Sequence, residues 1–294
     1  MVGRVTLSIA RWIGIGITAF LALSLLWVLL YRFVAPPFTF TQWGDPNGAA
    51  RTWVPLERID RNMVRAVIAA EDGKFCSHNG FDRDAIEAAM RRNAAGGRTI
   101  RGGSTISQQT AKNAFLWQGG GFVRKGLEAW FTLLMETTWS KRRIMEVYLN
   151  VAETGLGTYG VNAGAQRYFN HDSSAMSRVE AARIAAVLPL PKKRGATAPK
   201  GFTRRYGNAI VARIGVVARD GLDRCVYAGE TVAPEREPAA PARRKTAPRT
   251  KAAPAPVTLP GEEYEQAPAV VVSEPEATPE PEPEPLPVPE GNSQ

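Results

Sequence analysis

A mostly α-helical domain behind a single N-terminal transmembrane helix, followed by a disordered C-terminal tail, is the fold class the sequence predicts. Three observations predict it. Residues 12–31, WIGIGITAFLALSLLWVLLY, run without a charge. From Glu57 to about Val226 apolar residues recur at helical spacing, with almost no period-two alternation. Fifteen of the 22 prolines crowd into the last 64 residues, where no apolar periodicity survives. The boundaries that follow are 1–11 for a cytoplasmic N-terminus, 12–34 for the anchor and 35–56 for a connecting segment. The folded domain then takes 57–230, and the Pro/Glu-rich tail 231–294.

The anchor comes first. Twenty uncharged residues at 1.5 Å each make roughly 30 Å of helix, the thickness of a bilayer core. Trp12, Trp27 and Tyr31 sit towards its ends, where amphipathic rings prefer the headgroup layer. A cleaved signal peptide fits poorly, because the run is long and Phe33-Val34-Ala35-Pro36 lacks a small residue where cleavage would need one. Arg4 and Arg11 precede the run and Arg32 follows it, a modest bias that puts the N-terminus inside and the rest outside.

The net charge of +9 hides an asymmetry, since the first 230 residues carry 31 basic against 17 acidic side chains. A basic body held at a membrane suits anionic lipids or an anionic substrate, and export excludes nucleic acid as a partner. The two cysteines, Cys76 and Cys225, are too few for a disulfide framework and lack metal-type spacing. In an oxidising compartment they either pair or remain two buried thiols. A bridge would close roughly 150 residues, about 5 kcal/mol at the upper end of the chain-entropy treatment.

Pro36 to Pro55 reads as an extended connection. Met63, Val64, Val67 and Ile68 then mark a helix that runs into Glu71-Asp72, with Gly73 as its stop. Asp82 suits an N-cap for a helix carrying Ile86, Ala89 and Met90. RNAAGGRTIRGGST is a Gly- and Arg-rich loop, expected to be mobile, ending at Ser104 or Thr105, which would cap a helix through Phe115. Residues 123–138 give a further helix with Leu127, Trp130, Phe131 and Leu134 on its apolar side. Ser140 caps the next, GLGTYG marks a turn, and 176–188 is again helical. The tail cannot bury enough apolar surface to offset its ordering entropy; it reads as a solvated spacer or a partner-binding arm.

Three clusters carry chemistry. In AEDGKFCSHNGFD, Glu71 and Asp72 close a helix whose dipole disfavours negative charge there. An isolated Glu-Asp pair is ordinarily just surface, but a carboxylate with a raised pKa is a candidate general base. In GGSTISQQTAKN, Thr105, Gln109 and Lys112 fall on one helical face, either a wet surface or an anion-binding edge behind glycines. The full phosphate-loop spacing is absent. In VRKGLEAW, Arg124 and Glu128 stand four apart, so Glu128 is either half of a surface ion pair or a second active-site carboxylate with Arg124 and Lys125 on a phosphate. No GxSxG, HExxH or Cys/His nucleophile pair occurs, His78 has no second histidine nearby to share a metal, and His171 lies in a polar stretch.

Taken in order, EDGKFCSHNGFD, GGSTISQQTAKN, RKGLE, and KRRIMEVYLN with GTYGVNAGAQRYF resemble the successive motifs of the peptidoglycan glycosyltransferases, glycosyltransferase family 51. The resemblance covers about residues 57–225. RGGSTISQQTAKNAFLW followed by VRKGLEA looks like the monofunctional biosynthetic, Gram-negative type. The Ser-x-x-Lys motif is absent and Lys245-Thr246-Ala247 is not a Lys-Thr-Gly, so no transpeptidase activity is expected.

The resemblance implies a lysozyme-like peptidoglycan glycosyltransferase domain, partly sunk in the surface of the bacterial inner membrane and facing the periplasm. It implies lipid II and the growing glycan chain as substrates, with attack of the acceptor GlcNAc 4-hydroxyl on the donor MurNAc anomeric carbon, inversion, and loss of undecaprenyl pyrophosphate. It makes Glu71 the general base and Glu128 the second catalytic glutamate, acting at the pyrophosphate directly or through a divalent cation. Asp72, Phe75 and His78 would shape the acceptor site. Thr105, Gln109, Lys112, Arg124 and Lys125 would contact the diphosphate and nearby sugar, joined by Ser104, Gln108 and Asn113 of the same motif. No cofactor is obligatory; Mg2+ or Mn2+ at the pyrophosphate, with Glu128 as a ligand, is the one candidate. The Gly/Arg loop would cover the substrate groove; the tail, where it is a partner-binding arm and not a spacer, would recruit cell-wall synthesis or division proteins. The competing readings are a lysozyme-like glycan-cleaving enzyme, which gives no reason for diphosphate cations, and a non-catalytic membrane-anchored scaffold.

Overall fold

In the computed structural model the described residues are 2–94 and 103–228, all within one unit, Met1–Ala233. The expected Gly/Arg-rich cover and the Pro/Glu-rich tail lie outside the described residues, apart from the ends of the loop. Ten α-helices appear among the described residues: α1 Val2–Phe33, α2 Phe40–Trp43, α3 Arg61–Glu71, α4 Arg83–Ala94 and α5 Ile106–Phe115, then α6 Gly121–Thr138, α7 Lys141–Val151, α8 Val161–Phe169, α9 Arg178–Val187 and α10 Gly201–Arg219.

Two helical groups make the body. In the first, α3, α9 and α10 pack on one another. The alanines Ala181, Ala182, Ala185 and Ala186 of α9 are fully buried, so small side chains let the neighbouring helices close in. Arg65 of α3 reaches Asp223 at 2.8 Å, a buried ion pair beyond the end of α10. In the second group α5 packs against α6 and α7. Caps fix where these helices start: Asp82 for α4, Thr105 for α5 and Ser140 for α7, as their oxygen-bearing side chains predicted, and Asp60 for α3, which the sequence reading did not name. A capping box from Ser177 and Glu180 opens α9.

The segment expected to be a plain extended connection is partly structured. Thr39 and Gln42 form a capping box around α2, and a 3-10 turn spans Leu56–Arg58. Asn150 holds this segment to α7 by acting as a strand partner: its Oδ1 accepts from Val54 N at 2.8 Å and its Nδ2 donates to Val54 O at 2.8 Å. A small sheet was also not anticipated, because its strands β1 (Ala50–Arg51), β2 (Glu153–Gly155) and β3 (Thr158–Tyr159) are too short to show alternation. β3 lies between the other two, parallel to β1 and antiparallel to β2.

Within α1, residues Ser8–Phe33 form the one described helix long and apolar enough to cross a membrane. Its last third docks on the domain. Trp139 Nε1 donates to Val28 O at 2.9 Å and Trp130 Nε1 to Ser24 Oγ at 3.1 Å. Trp27 and Tyr31 pack on Phe115, itself stacked on Phe131 with ring centres 4.7 Å apart. Arg143 caps the end of α1, donating to Tyr31 O and Val34 O at 2.8 Å, a cation on carbonyls that lack helical partners. Cys76 and Cys225 form a disulfide with their Cα atoms 5.4 Å apart, tying the loop after α3 to the chain beyond α10.

Candidate active site

The site is built where the end of α3 meets the start of α5. Asp72, the C-cap of α3, accepts from Ile106 N at 3.0 Å, so one carboxylate ends one helix and serves the first amide of another. His78 Nε2 lies 3.0 Å from both Asp72 oxygens, while His78 Nδ1 accepts from Gly80 N at 3.1 Å. That pairing assigns the proton to Nε2, which donates to Asp72. Thr105 Oγ1 donates to Gly80 O at 2.7 Å. Gly80 has φ +87°, and a Cβ there would sit 2.7 Å from Thr132 Cγ2, so only glycine fits the bend.

Beneath this bracket, Lys141 donates to His78 O at 2.7 Å and to Glu136 at 2.8 Å, with Ser107 also on Glu136, and its ammonium lies 4.6 Å from the Phe75 ring centre. Phe75 is wholly buried, and Asp72, Thr105 and Gln108 are nearly so. These side chains and His78, which the resemblance puts at the substrate, spend their hydrogen bonds on the protein itself. They hold the site's geometry from inside, and His78 also lines a separate cavity with Ser77, Asn79 and Phe81.

Glu71, the last residue of α3, is half-buried and faces outward from this bracket. Gln109 Nε2 donates to Glu71 Oε2 at 2.8 Å, and buried Tyr148 donates to Gln109 Oε1 at 3.4 Å, a long contact that keeps the amide turned towards Glu71. Glu71 Oε1 is buried with no hydrogen-bond partner. Burial raises the Glu71 pKa above 4.5 and Asp72 adds to the rise; the Gln109 bond, Lys112 and Arg194 oppose it. Tyr206 donates to Ala70 O at 2.7 Å and fixes the backbone just before Glu71.

On α6, Glu128 is only 3 % exposed, which removes the surface-pair reading of VRKGLEAW. Arg124 bonds its Oε2 at 2.7 Å and Lys125 its Oε1, while Lys125 also reaches Ser104 Oγ at 3.2 Å. Lys112 of α5 interacts electrostatically with both Glu128 and Glu71, yet makes no hydrogen bond among the described residues; burial lowers its pKa. Three cations around one buried carboxylate leave an excess of positive charge, the arrangement an anion needs.

Lys112 also lines a cavity of about 430 Å³, together with Gln109, Asn113, Tyr148, Glu153 and the loop 188–193. Of the expected α5 face, Gln109 and Lys112 reach the cavity together with Asn113, while Thr105 stays behind as the cap. Sequence reasoning missed Tyr148, Glu153, Lys192, Lys193, Arg194 and Tyr206. The run LPLPKKR, three cations on a proline-stiffened loop after a helix, was the available signal for the middle three. His171 contacts Glu180 at 3.3 Å on the surface, apart from these residues.

The donor set does not fit a protein-held divalent cation. Both Glu128 oxygens are taken by Arg124 and Lys125, and among the described residues no three His, Cys, Asp or Glu side chains gather.

The family model described as Transglycosylase matches residues 39–214. A biosynthetic peptidoglycan transglycosylase of Caulobacter vibrioides is 49% identical over 202 residues, 68% of this chain and 88% of that protein. One of Rhodospirillum centenum is 49% identical over 213 residues, 69% and 91% of the two chains. One of Pseudomonas syringae pv. syringae is 48% identical over 207 residues, 67% and 87%. The matched family segment spans every element that builds the cavity, from the connecting segment to α10.

Proposed function

The chain belongs to the transglycosylase family and is a peptidoglycan glycosyltransferase, and on that premise we propose that it polymerises lipid II into glycan strands. The acceptor GlcNAc 4-hydroxyl would attack the donor MurNAc anomeric carbon, inverting it and releasing undecaprenyl pyrophosphate. One observation carries this reading: Lys112 stands within electrostatic reach of both Glu71, an incompletely satisfied carboxylate, and Glu128, which gathers two further cations.

Glu71 is the general base. Its free Oε1 takes the 4-hydroxyl proton, and the burial that raises its pKa makes it a stronger base than an exposed carboxylate. The Gln109 hydrogen bond and the charge of Lys112 oppose that rise. The departing diphosphate needs positive charge organised in advance, and Lys112, Arg124 and Lys125 supply it. Glu128 holds the latter two in place and shares them with the diphosphate as it arrives. A divalent cation at the diphosphate would draw its ligands from phosphate oxygens and water, and no step here is routed through one.

The anchor favours this substrate physically. α1 docks directly on α6, which carries Glu128, so the cationic cluster stays close to the bilayer in which a polyprenyl donor is fixed. We place the domain on the periplasmic side of the inner membrane, where the charge bias of the anchor points. The test is polymerisation of labelled lipid II by the detergent-solubilised full chain against its Glu71→Gln variant. Long glycan from the first and none from the second, with folding intact, supports the reading. Cleavage of finished glycan with lipid II untouched would replace it by the hydrolase.

A further inference from the structure

We propose that Glu153 is a sugar-recognition residue: its free carboxylate oxygen accepts a hydrogen bond from a hydroxyl or acetamido N–H of the sugar in the cavity, while Lys192 donates to a neighbouring sugar oxygen. The proposal rests on the glycosyl-transfer reading above and names a part of the site to which that reading assigns nothing.

Glu153 opens β2 directly after α7 and pairs with Tyr159 of β3, so the small sheet fixes its backbone. Its side chain lines the same cavity as Gln109 and Lys112. The Gly157 backbone amide supports the carboxylate, but its Oε1 is buried and has no hydrogen-bond partner. The one ion-pair partner of Glu153 among the described residues is Lys192, at 3.8 Å, close enough for attraction but too far to hydrogen-bond. Asp45, the other carboxylate beside Lys192, is the opposite case. It accepts from Asn47 N at 2.9 Å, Asn47 Nδ2 at 2.8 Å, Tyr159 Oη at 2.7 Å and Lys192 Nζ at 3.2 Å. One neighbour is saturated, and the other keeps an unused acceptor on the cavity wall.

An unsatisfied buried carboxylate oxygen lowers stability, and its retention needs a partner from outside the chain. The surroundings select which partner. Lys112, Lys192 and Lys193 line the cavity and repel a cation, while Glu153 itself repels a phosphate or carboxylate. A neutral group rich in O–H and N–H donors meets both conditions, and an amino sugar is one. The pair then works as fixed polar groups work in other pockets, setting orientation more than supplying bulk affinity.

The test is a lipid II titration with the full chain in detergent, comparing Glu153→Ala and Glu153→Gln with the natural protein. Loss of a hydrogen bond to a charged acceptor should raise KM roughly tenfold or more in Glu153→Ala. The bond is made in ground and transition state alike, so kcat at saturation should stay within about twofold. Glu153→Gln keeps one acceptor oxygen and the shape, and should fall between. The acid limb of the pH–rate profile should not move. Unchanged KM in both variants overturns the proposal, as does a loss of kcat at constant KM. Should Glu153→Ala fail to fold, the KM of Glu153→Gln decides. A natural chain that leaves lipid II unpolymerised sinks the glycosyl-transfer reading first, a separate and visible failure.

Discussion

The end of α3 and the middle of α6 each carry a glutamate within electrostatic reach of Lys112, and the two are held in contrary ways. Glu71 has one amide donor, a like charge next to it, a buried oxygen with no partner and a raised pKa. Glu128 has a cation on each oxygen and almost no exposure. Identical side chains thus receive different chemistry from their surroundings: an unsatisfied carboxylate can take a proton, and a saturated one can only organise charge. Lys112 links the two, because its field lowers the proton affinity of Glu71 while adding to the cations around Glu128.

Exchanging one atom at each glutamate should separate them. Glu71→Gln keeps the Gln109 contact through its amide oxygen but cannot accept a proton, so kcat for lipid II polymerisation should drop about a thousandfold. Its thermal midpoint should hold or rise, since a buried charge is removed. Glu128→Gln should do the reverse in stability. It leaves Arg124, Lys125 and Lys112 facing one another without their counter-charge, a loss of about 2 kcal/mol after discounting for the half-exposed Lys125. Chemical denaturation of the two variants side by side reads this directly, and equal midpoints would erase the contrast drawn here.

Titration offers a finer version. Because the folded-state pKa of Glu71 lies above 4.5, its contribution to stability is present below that value and is lost as pH rises through the raised pKa. Activity runs the other way over the same window, since the base must be ionised. Wild-type protein should therefore gain rate and lose the Glu71 component of stability as pH climbs from 4.5, and in Glu71→Gln that component of the stability profile should vanish. The smallest effect is expected at Tyr148→Phe. Its hydroxyl holds Gln109 through a long 3.4 Å bond, so the rate should fall only a few-fold and stability by about 1 kcal/mol or less. A loss as large as that of Glu71→Gln would instead put Tyr148 itself in the chemistry.

Much of this arrangement was legible along the chain. The long apolar N-terminal helix, the helices around the first three motifs and the caps at Asp82, Thr105 and Ser140 all rest on local rules of periodicity and capping, which act over a few residues. α8 and α10 were not separated out, and the short strands left no period to find. Thr105 shows where local reasoning stops. Helical spacing puts it on a face with Gln109 and Lys112, yet as the N-cap it turns inward to Gly80.

By itself, then, the sequence determined the long apolar N-terminal helix, the helical character, the excess of positive charge and which carboxylates to watch, because each is a property of composition or of neighbours in the chain. Only the tertiary structure decided that His78 supports Asp72 rather than facing the cavity, that Glu128 is buried, and that Glu153 keeps a free oxygen beside Lys192. It also decided that the two cysteines meet and that the anchor's aromatic rings dock on the domain. The reason is physical: hydrogen-bond saturation and burial depend on groups far apart in the chain, and those meet only when the helices pack.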